Sequence, residues 1–453
     1  MKTHGIGGFS AAADEVALSH FNLFEKPEYE TGVKDFEDVI VRPINSSNLT
    51  GPWSFHIPKD PNRYSSTETL RLKGKLRVRK KQAGTLVNLP DNEQVSTIND
   101  MFKTIWGNIK TKVNDVEIGE TTSKWYSYKA YLEDTLSYSK ATKLNVLSSR
   151  GYFKDTAGKF DTIPAATEAI TDAQNAGYKK RAALIAKSKW VYFKTNLHID
   201  ICTLKKYLPP NMAIDLEFEK VPTSFYILSP NNDNEYEVEL DGLELSMRRF
   251  TPSDYMKNWI ENERRLKIAQ NPMDSNSFKA YTVAPGTNDL SSYGIIKGHK
   301  LPDQLLVGLV EEESYRGVNN KNPFNFQHFD LLEASVVING THFPANKFKM
   351  DRSIGDTAEI YQHFLECCGI GIDDREFDIT NEDYLNGTFL LNFDFSPDLC
   401  NRYHRHIPNS GNIDINLKLK NETDKTVKVI LYATYATDVY IDNNTNVMIE
   451  QNF

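Results

Sequence analysis

Four short blocks of this chain recur in the same order, and this internal repeat limits the fold more than any other feature. KVNDVEIG at 112–119 is echoed by VINGTHFP at 337–344, each a β-like run with an Asn turn, Asn114 and Asn339 lying 225 positions apart. YKAYLE at 128–133 is echoed 233 positions later by YQHFLE at 361–366. NLHIDI and LLNFDF follow, setting Asp200 against Asp394 at an offset of 194. Last come LPPNMAIDLEF and IPNSGNIDINL, setting Ile214-Asp215 against Ile413-Asp414 at an offset of 199. Drifting offsets between ordered blocks are what loop insertions leave behind, and a repeat of about 200 residues is too long for a solenoid or propeller unit. Two homologous domains in tandem are therefore expected, in line with a length of 453 residues.

From Phe36 onward, short aromatic and β-branched runs broken by Pro, Gly and Asn give the strand-and-turn pattern of a sandwich or barrel. LRLKGKLRVRK at 70–80 places Arg71, Lys73, Lys75, Arg77 and Arg79 on one parity and Leu72, Gly74, Leu76 and Val78 on the other. A strand there has one cationic face and one inward face. Strands are also expected in IWGNIKTKVNDVEIG, with a turn at Asn114-Asp115, in WVYFKTNLHIDICTL, AIDLEF and SFYIL, and as a hairpin-like pair around Asp241-Gly242. The second half continues with FKAYTVAP, QLLVGLVEEESY, LLEASVVING, GTFLLNFDF, NIDINLKL and VKVILYATYATDVYI.

Helical signals are few. Tyr128, Tyr131, Leu132 and Thr135 fall at i, i+3, i+4 and i+7, which predicts a short helix with an aromatic stripe. The alanine-rich stretch 163–188 reads as a helical or loop insertion, and 252–274, opening on Pro252 and a Ser253 cap, as a helical linker. The expected division is an N-terminal arm at 1–36, a first jelly roll at 37–251, the linker at 252–274 and a second jelly roll at 275–453. The fold class is all-β, two tandem eight-stranded jelly rolls with short helices in loops, a pattern whose periodicity is shared with other Greek-key sandwiches.

Little in the sequence points to chemistry. The net charge of −8 argues against indiscriminate nucleic-acid binding, and four cysteines with no CxxC spacing point to a reducing compartment. No apolar signal region opens the chain and no run is long enough to span a bilayer, so no membrane span is expected. His363 and Cys367 at i and i+4, with Cys400, His404 and His406, could be drawn as a zinc site. Their spacing matches no usual zinc pair, and the first repeat has Ala130, Asp134 and Thr135 where the second has His363, Cys367 and Cys368. Core cysteines and a polar-rim histidine are the simpler reading. GxSxG, HExxH and GxxxxGK[ST] are absent, and a glycosidase carboxylate pair has no marked spacing. No catalytic residue, metal or cofactor is expected. The cationic row Arg71, Lys73, Lys75, Arg77 and Arg79 remains a candidate contact for nucleic acid or a subunit, against the plainer reading of a solvated face.

The matched blocks also carry a family resemblance. LFEKPEY, KVNDVEIG, YSYKAYLEDTLSY, GYFKDTAGKFD continuing to NAGYKKRAALIAKS, LPPNMAIDLEFEK, LLVGLVEEESYRG, NPFNFQHFD and LLNFDFSPDL cover most of residues 21–445. In these the chain resembles the major capsid proteins of Polinton (Maverick) elements and adintoviruses, in the double jelly-roll group that includes adenovirus hexons. The resemblance implies two upright jelly rolls, a homotrimer with a pseudo-hexagonal footprint, and an icosahedral shell of capsomers around double-stranded DNA. It implies as partners the chain itself, neighbouring capsomers, penton or minor capsid proteins and packaged DNA on the inner surface, with no enzyme activity and no cofactor. The implied location is the virion capsid, after synthesis in the host cytoplasm and assembly there or in the nucleus. The alternatives are a minor capsid or penton component, usually one jelly roll, and a two-domain carbohydrate-binding β protein.

Overall fold

The computed structural model describes the chain except for residues 1–2, 5–9, 12–29, 46–48, 166–173, 231–234, 371–375, 398–403, 408 and 451–453. The expected arm thus lies largely outside the described residues, as does Cys400. The first described long strand begins at Val33, and the chain then alternates strands and loops through two sandwiches.

The first sandwich is built from β1 (Val33–Val41), β2 (Trp53–Ile57), β3 (Tyr64–Gln82), β4 (Trp106–Val113), β5 (Val116–Glu117), β6 (Val191–Asn196), β7 (Ile214–Lys220) and β8 (Tyr236–Pro252). The second uses β9 (Ala269–Val283), β10 (Ser292–Lys300), β11 (Gln304–Glu311), β12 (Leu331–Ile338), β13 (Thr341–Lys349), β14 (Leu390–Asp394), β15 (Ser410–Leu419) and β16 (Val427–Ile441). Sheet orders in the first are β1-β8-β3-β6 and β2-β7-β4-β5, and in the second β9-β16-β11-β14 and β10-β15-β12-β13. Adding eight to each label converts one pair of orders into the other. Two facing antiparallel sheets with four main strands each in this order are a jelly roll, short strands at Thr85–Val87 and Val447–Ile449 adding a fifth to one sheet of each, so the double jelly roll is present.

Each core lies between its two sheets, where alternate side chains meet. In the first, Trp53, Trp106, Phe55 and Phe218 pack edge to face at 5.1–5.4 Å between ring centres. In the second, Ile413, Ile415, Leu417 and Leu419 of β15 point inward from alternate positions.

The Asn turns of the repeat are one device used twice. Asn114 and Asn339 both take left-handed φ, 46° and 51°, in the tight turns after β4 and β12. Asn tolerates that conformation better than other non-glycine residues. The Asn114 side-chain Oδ1 accepts from the Ala213 N–H at 2.9 Å, and Asn339 Oδ1 accepts from the Asn412 N–H at 2.9 Å. One residue on, Ile214 pairs with Val113 and Ile413 with Ile338, so the register of the fourth block is the same in both sandwiches.

Several expectations give way to the structure. The hairpin around Asp241-Gly242 is one continuous strand, β8, with a bulge: Asp241 lies opposite Lys75 and Glu244 opposite Lys73, so Gly242 and Leu243 stand against Gly74 alone. Gly242, at φ 61°, supplies the left-handed residue such a bulge uses. WVYFKTNLHIDICTL stops as a strand at Asn196, and Asp200–Thr203 is a 3-10 turn, because Asp200 is drawn into a buried ion pair. SFYIL is a helical turn, Thr223–Tyr226, followed by a two-residue strand paired with Ser96–Thr97. Between the sandwiches, the helix at Asp254–Leu266 has its Ser253 cap, but Ala269 already opens β9, which runs through Pro272. Pro is tolerated there because β9 is an edge strand.

If the Asn turns hold the register, Asn114→Ala loses an acceptor and the left-handed tolerance together. A loss of about 1–3 kcal/mol in urea unfolding is expected, with Asn114→Gly losing less because glycine keeps the left-handed conformation. Equal midpoints for the Ala and Gly variants would show that the left-handed turn carries no such load.

Candidate assembly site

The helix that carries YKAYLE, α2 (Trp125–Leu136), follows a short helix, α1 (Met101–Thr104), and lies between β5 and β6. Its aromatic stripe faces the other sandwich. Tyr128 stacks on Phe278 of β9 at 5.6 Å and on Tyr315 at 5.8 Å, and Tyr131 lies flat on Phe324 at 4.1 Å. Each such ring buries about 150–250 Å², an upper estimate of about 4–6 kcal/mol at ~25 cal/mol per Å². α2 thereby covers the β9 and β16 side of the outer face of sheet β9-β16-β11-β14, Cys367 and Cys368 meet Gln304 and Asn392 on the other side, and β11 and β14 are buried on both faces. Their sequences, QLLVGLVE and LLNFD, are nearly continuous apolar runs for that reason.

Around this contact runs a chain of buried polar groups that crosses the junction. Lys103 of α1 is paired with Asp134 of α2, both side chains fully buried, and lies 2.9 Å from His198 Nε2. His198 is 2.8 Å from both Asp134 Oδ1 and Glu133 Oε2. The Tyr432 hydroxyl of β16 donates to Asn276 Oδ1 at 2.6 Å and lies 3.2 Å from Glu133 Oε1. The Asn276 amide donates to Asp200 Oδ1 at 2.9 Å, and Lys129 donates to the same atom at 2.7 Å. Burial, and then the Asp134 carboxylate, raise the pKa of the Asp100 carboxyl well above its usual range. Burial and Lys103 push His198 down, but Asp134 and Glu133 outweigh them and its pKa is raised. The connection between α2 and β6 extends the junction: Lys143 pairs with Asp378, Lys154 with Asp383 at 2.8 Å, and Asp161 accepts from Asn322 and Asn325.

The cationic row stands where parity put it, on the outer face of sheet β1-β8-β3-β6, but it is not alone there. Lys73 meets Glu244 at 3.0 Å, Lys75 meets Asp241 at 2.8 Å, and Arg77 and Arg79 share Glu239 at 2.7 and 3.6 Å. Arg71 donates to the carbonyls of Glu68 and Leu70. Four of the five cations therefore face a carboxylate on β8. Its sequence EYEVELDGLELSMRR carries the signal, since Glu237, Glu239 and Asp241 share one parity and the bulge returns Glu244 to the same face.

Among the described residues, which do not include Cys400, the zinc drawing is not assembled. His363 lies 3.4 Å from Cys367 Sγ on α5 (Ala358–Cys367) but packs against Phe348 and Phe393, and burial lowers its pKa. Burial pushes the Cys367 and Cys368 thiols up to about 12, which keeps them protonated. Among the described residues no three of His, Cys, Asp and Glu are grouped to hold a metal ion. No described helix is long and apolar enough to cross a membrane. Sequence reasoning missed Lys103, Asp134 and His198; the available signal was Lys129 and Asp134 beside the aromatic stripe of an otherwise apolar helix.

The network makes junction stability depend on pH. Because the folded His198 pKa is raised, its contribution is complete below the unfolded value near 6.5 and is lost as pH rises through the folded value. Wild-type unfolding midpoints should fall from about pH 6.5 upward, beyond the change seen in His198→Gln, with Lys103, Glu133 and Asp134 facing the ring. Parallel profiles for the two proteins would remove His198 from the junction's energetics.

No protein-family model matches the chain. Among curated proteins, an uncharacterized protein of Caenorhabditis elegans is 22% identical over 408 residues, spanning 88% of this chain and 92% of that relative. Among solved structures, the chain is similar to one in the cryo-EM structure of the Sputnik virophage, with a TM-score of 0.61, 12% identity, and coverage of 100% of this chain and 95% of that one. It is also similar to the mavirus major capsid protein, with a TM-score of 0.52, 11% identity, and coverage of 98% and 97%. At such identities the agreement is one of fold, and it runs through both sandwiches: the chain is an all-β double jelly roll.

Proposed function

We propose that this chain is a viral-type capsid protein, and specifically a major capsid protein whose copies form trimeric capsomers of an icosahedral shell around double-stranded DNA. The observation that carries the reading is the double jelly roll itself, matched end to end by the mavirus major capsid protein. The role is architectural, performed by self-association at the virion capsid, with penton or minor capsid proteins as further partners. Two sandwiches in one chain favour it over a minor component with a single jelly roll. The block resemblance supports the Polinton and adintovirus branch within this group.

Geometry explains how such a chain would work. Within one chain a helical face of the first sandwich sits on a sheet of the second, a heterologous contact between like units. Repeated between chains, a contact of this kind closes into a ring if the rotation permits. The cationic row fits a protein contact better than a run of phosphates, because most of its members are already neutralised and would release few counterions on binding.

Light scattering of the purified full chain should give the mass of three copies, and a monomer at high concentration would contradict the reading. For the row, the Arg77→Glu, Arg79→Glu double variant should leave nucleic-acid content and its salt dependence unchanged in assembled particles. A marked fall in that content with assembly intact would instead assign the row to DNA.

A further inference from the structure

The repeat leaves one half of the junction unused at each end of the chain. Taking the last residues of β6 and β14, Asn196 and Asp394, as equivalent, the pairing register carries across both sheets. In the second sandwich the outer row Phe278, Tyr432, Leu306 and Asn392 is buried, with Tyr128 of α2 on Phe278, Glu133 of α2 at Tyr432 and Cys368, just past α5, at Asn392. Its counterpart in the first sandwich is Arg42, Glu244, Lys73 and Lys194, joined by the Arg42–Glu244 pair at 3.1 Å and the registers of β3. That row is open: the Arg42 and Lys73 side chains are 79% and 60% exposed. Beside them Ile40 is 62% exposed, on the wall of a groove of ≈ 410 Å³.

The charge in this groove is unbalanced. Arg42 and Lys73 share the single carboxylate of Glu244, while Arg71 bonds only to backbone carbonyls. On the other half, α5 is the counterpart of α2 and presents Glu359, Gln362 and Glu366 along one exposed face. No lysine or arginine among the described residues is paired with either glutamate. Glu366 holds the place in YQHFLE that Glu133 holds in YKAYLE, and Glu133 is the residue that meets the row at Tyr432.

We propose that the outer face of sheet β1-β8-β3-β6 is the seat of α5 from a second copy of this chain, with Glu359 and Glu366 entering the groove beside Arg42, Lys73 and Lys194. The inference rests on the self-assembly reading and names the surfaces that carry it. The contact within the chain is aromatic and permanent, whereas the contact between chains is charged, so both of its faces remain soluble before they meet.

The test is a charge swap read by sedimentation of the full chain. The α5 variant Glu359→Lys, Glu366→Lys and the groove variant Lys73→Glu, Lys194→Glu should each raise the concentration of half-dissociation at least about tenfold. The combined four-fold variant, with the charges exchanged, should recover most of the loss. All four substituted positions are exposed, and unchanged unfolding midpoints would exclude misfolding as the cause. Oligomers indifferent to either pair, or losses that the combined variant does not recover, overturn this contact while leaving self-assembly intact. A wild-type chain that never associates overturns both.

Discussion

The seating of α2 on the outer face of sheet β9-β16-β11-β14 is the contact on which the rest of the structure depends. It places Tyr128 and Tyr131 against Phe278 and Phe324, and it closes over a polar chain running from Lys103 to Tyr432. Aromatic burial supplies the attraction, and the polar chain fixes the register, since a buried charge displaced from its partner costs about 3–5 kcal/mol. The connection between α2 and β6, longer than the one between α5 and β14, adds ion pairs at the margin.

This one contact makes two copies of a fold unequal. In the second sandwich the sheet beneath α2 is covered on both sides, so β11 reads as an unbroken apolar run. In the first, the equivalent sheet has an open outer face, so β3 alternates apolar and cationic residues and β8 answers with acids. The same strand order thus carries two different periodicities, and the difference marks which sheet is inside the chain's own junction.

That distinction explains how far the sequence could be read. The double jelly roll, the strand parity at 71–79, the Asn turns and the aromatic stripe of α2 were legible, because each depends on local spacing or on a repeated block. Ile214 and Ile413 were aligned in the correct register, being one residue from the paired Asn contacts. Asp200 and Asp394 were not equivalent: strand ends match Asn196 with Asp394, and Asp200 belongs to the buried network. That error, like the hairpin that became a bulge at Gly242, came from long-range partners outside the window of local pattern. Lys103 and His198 were invisible for the same reason, since what buries a charge is the residue that arrives from elsewhere in the chain.

Single-particle cryo-electron microscopy of the purified full chain tests the account most directly. It should show a closed ring of three chains in which six sandwiches alternate, with α5 of each chain lying across β1, β8 and β3 of the next. Particles that remain single chains, or that join with the outer sheet of the first sandwich still facing solvent, would contradict it.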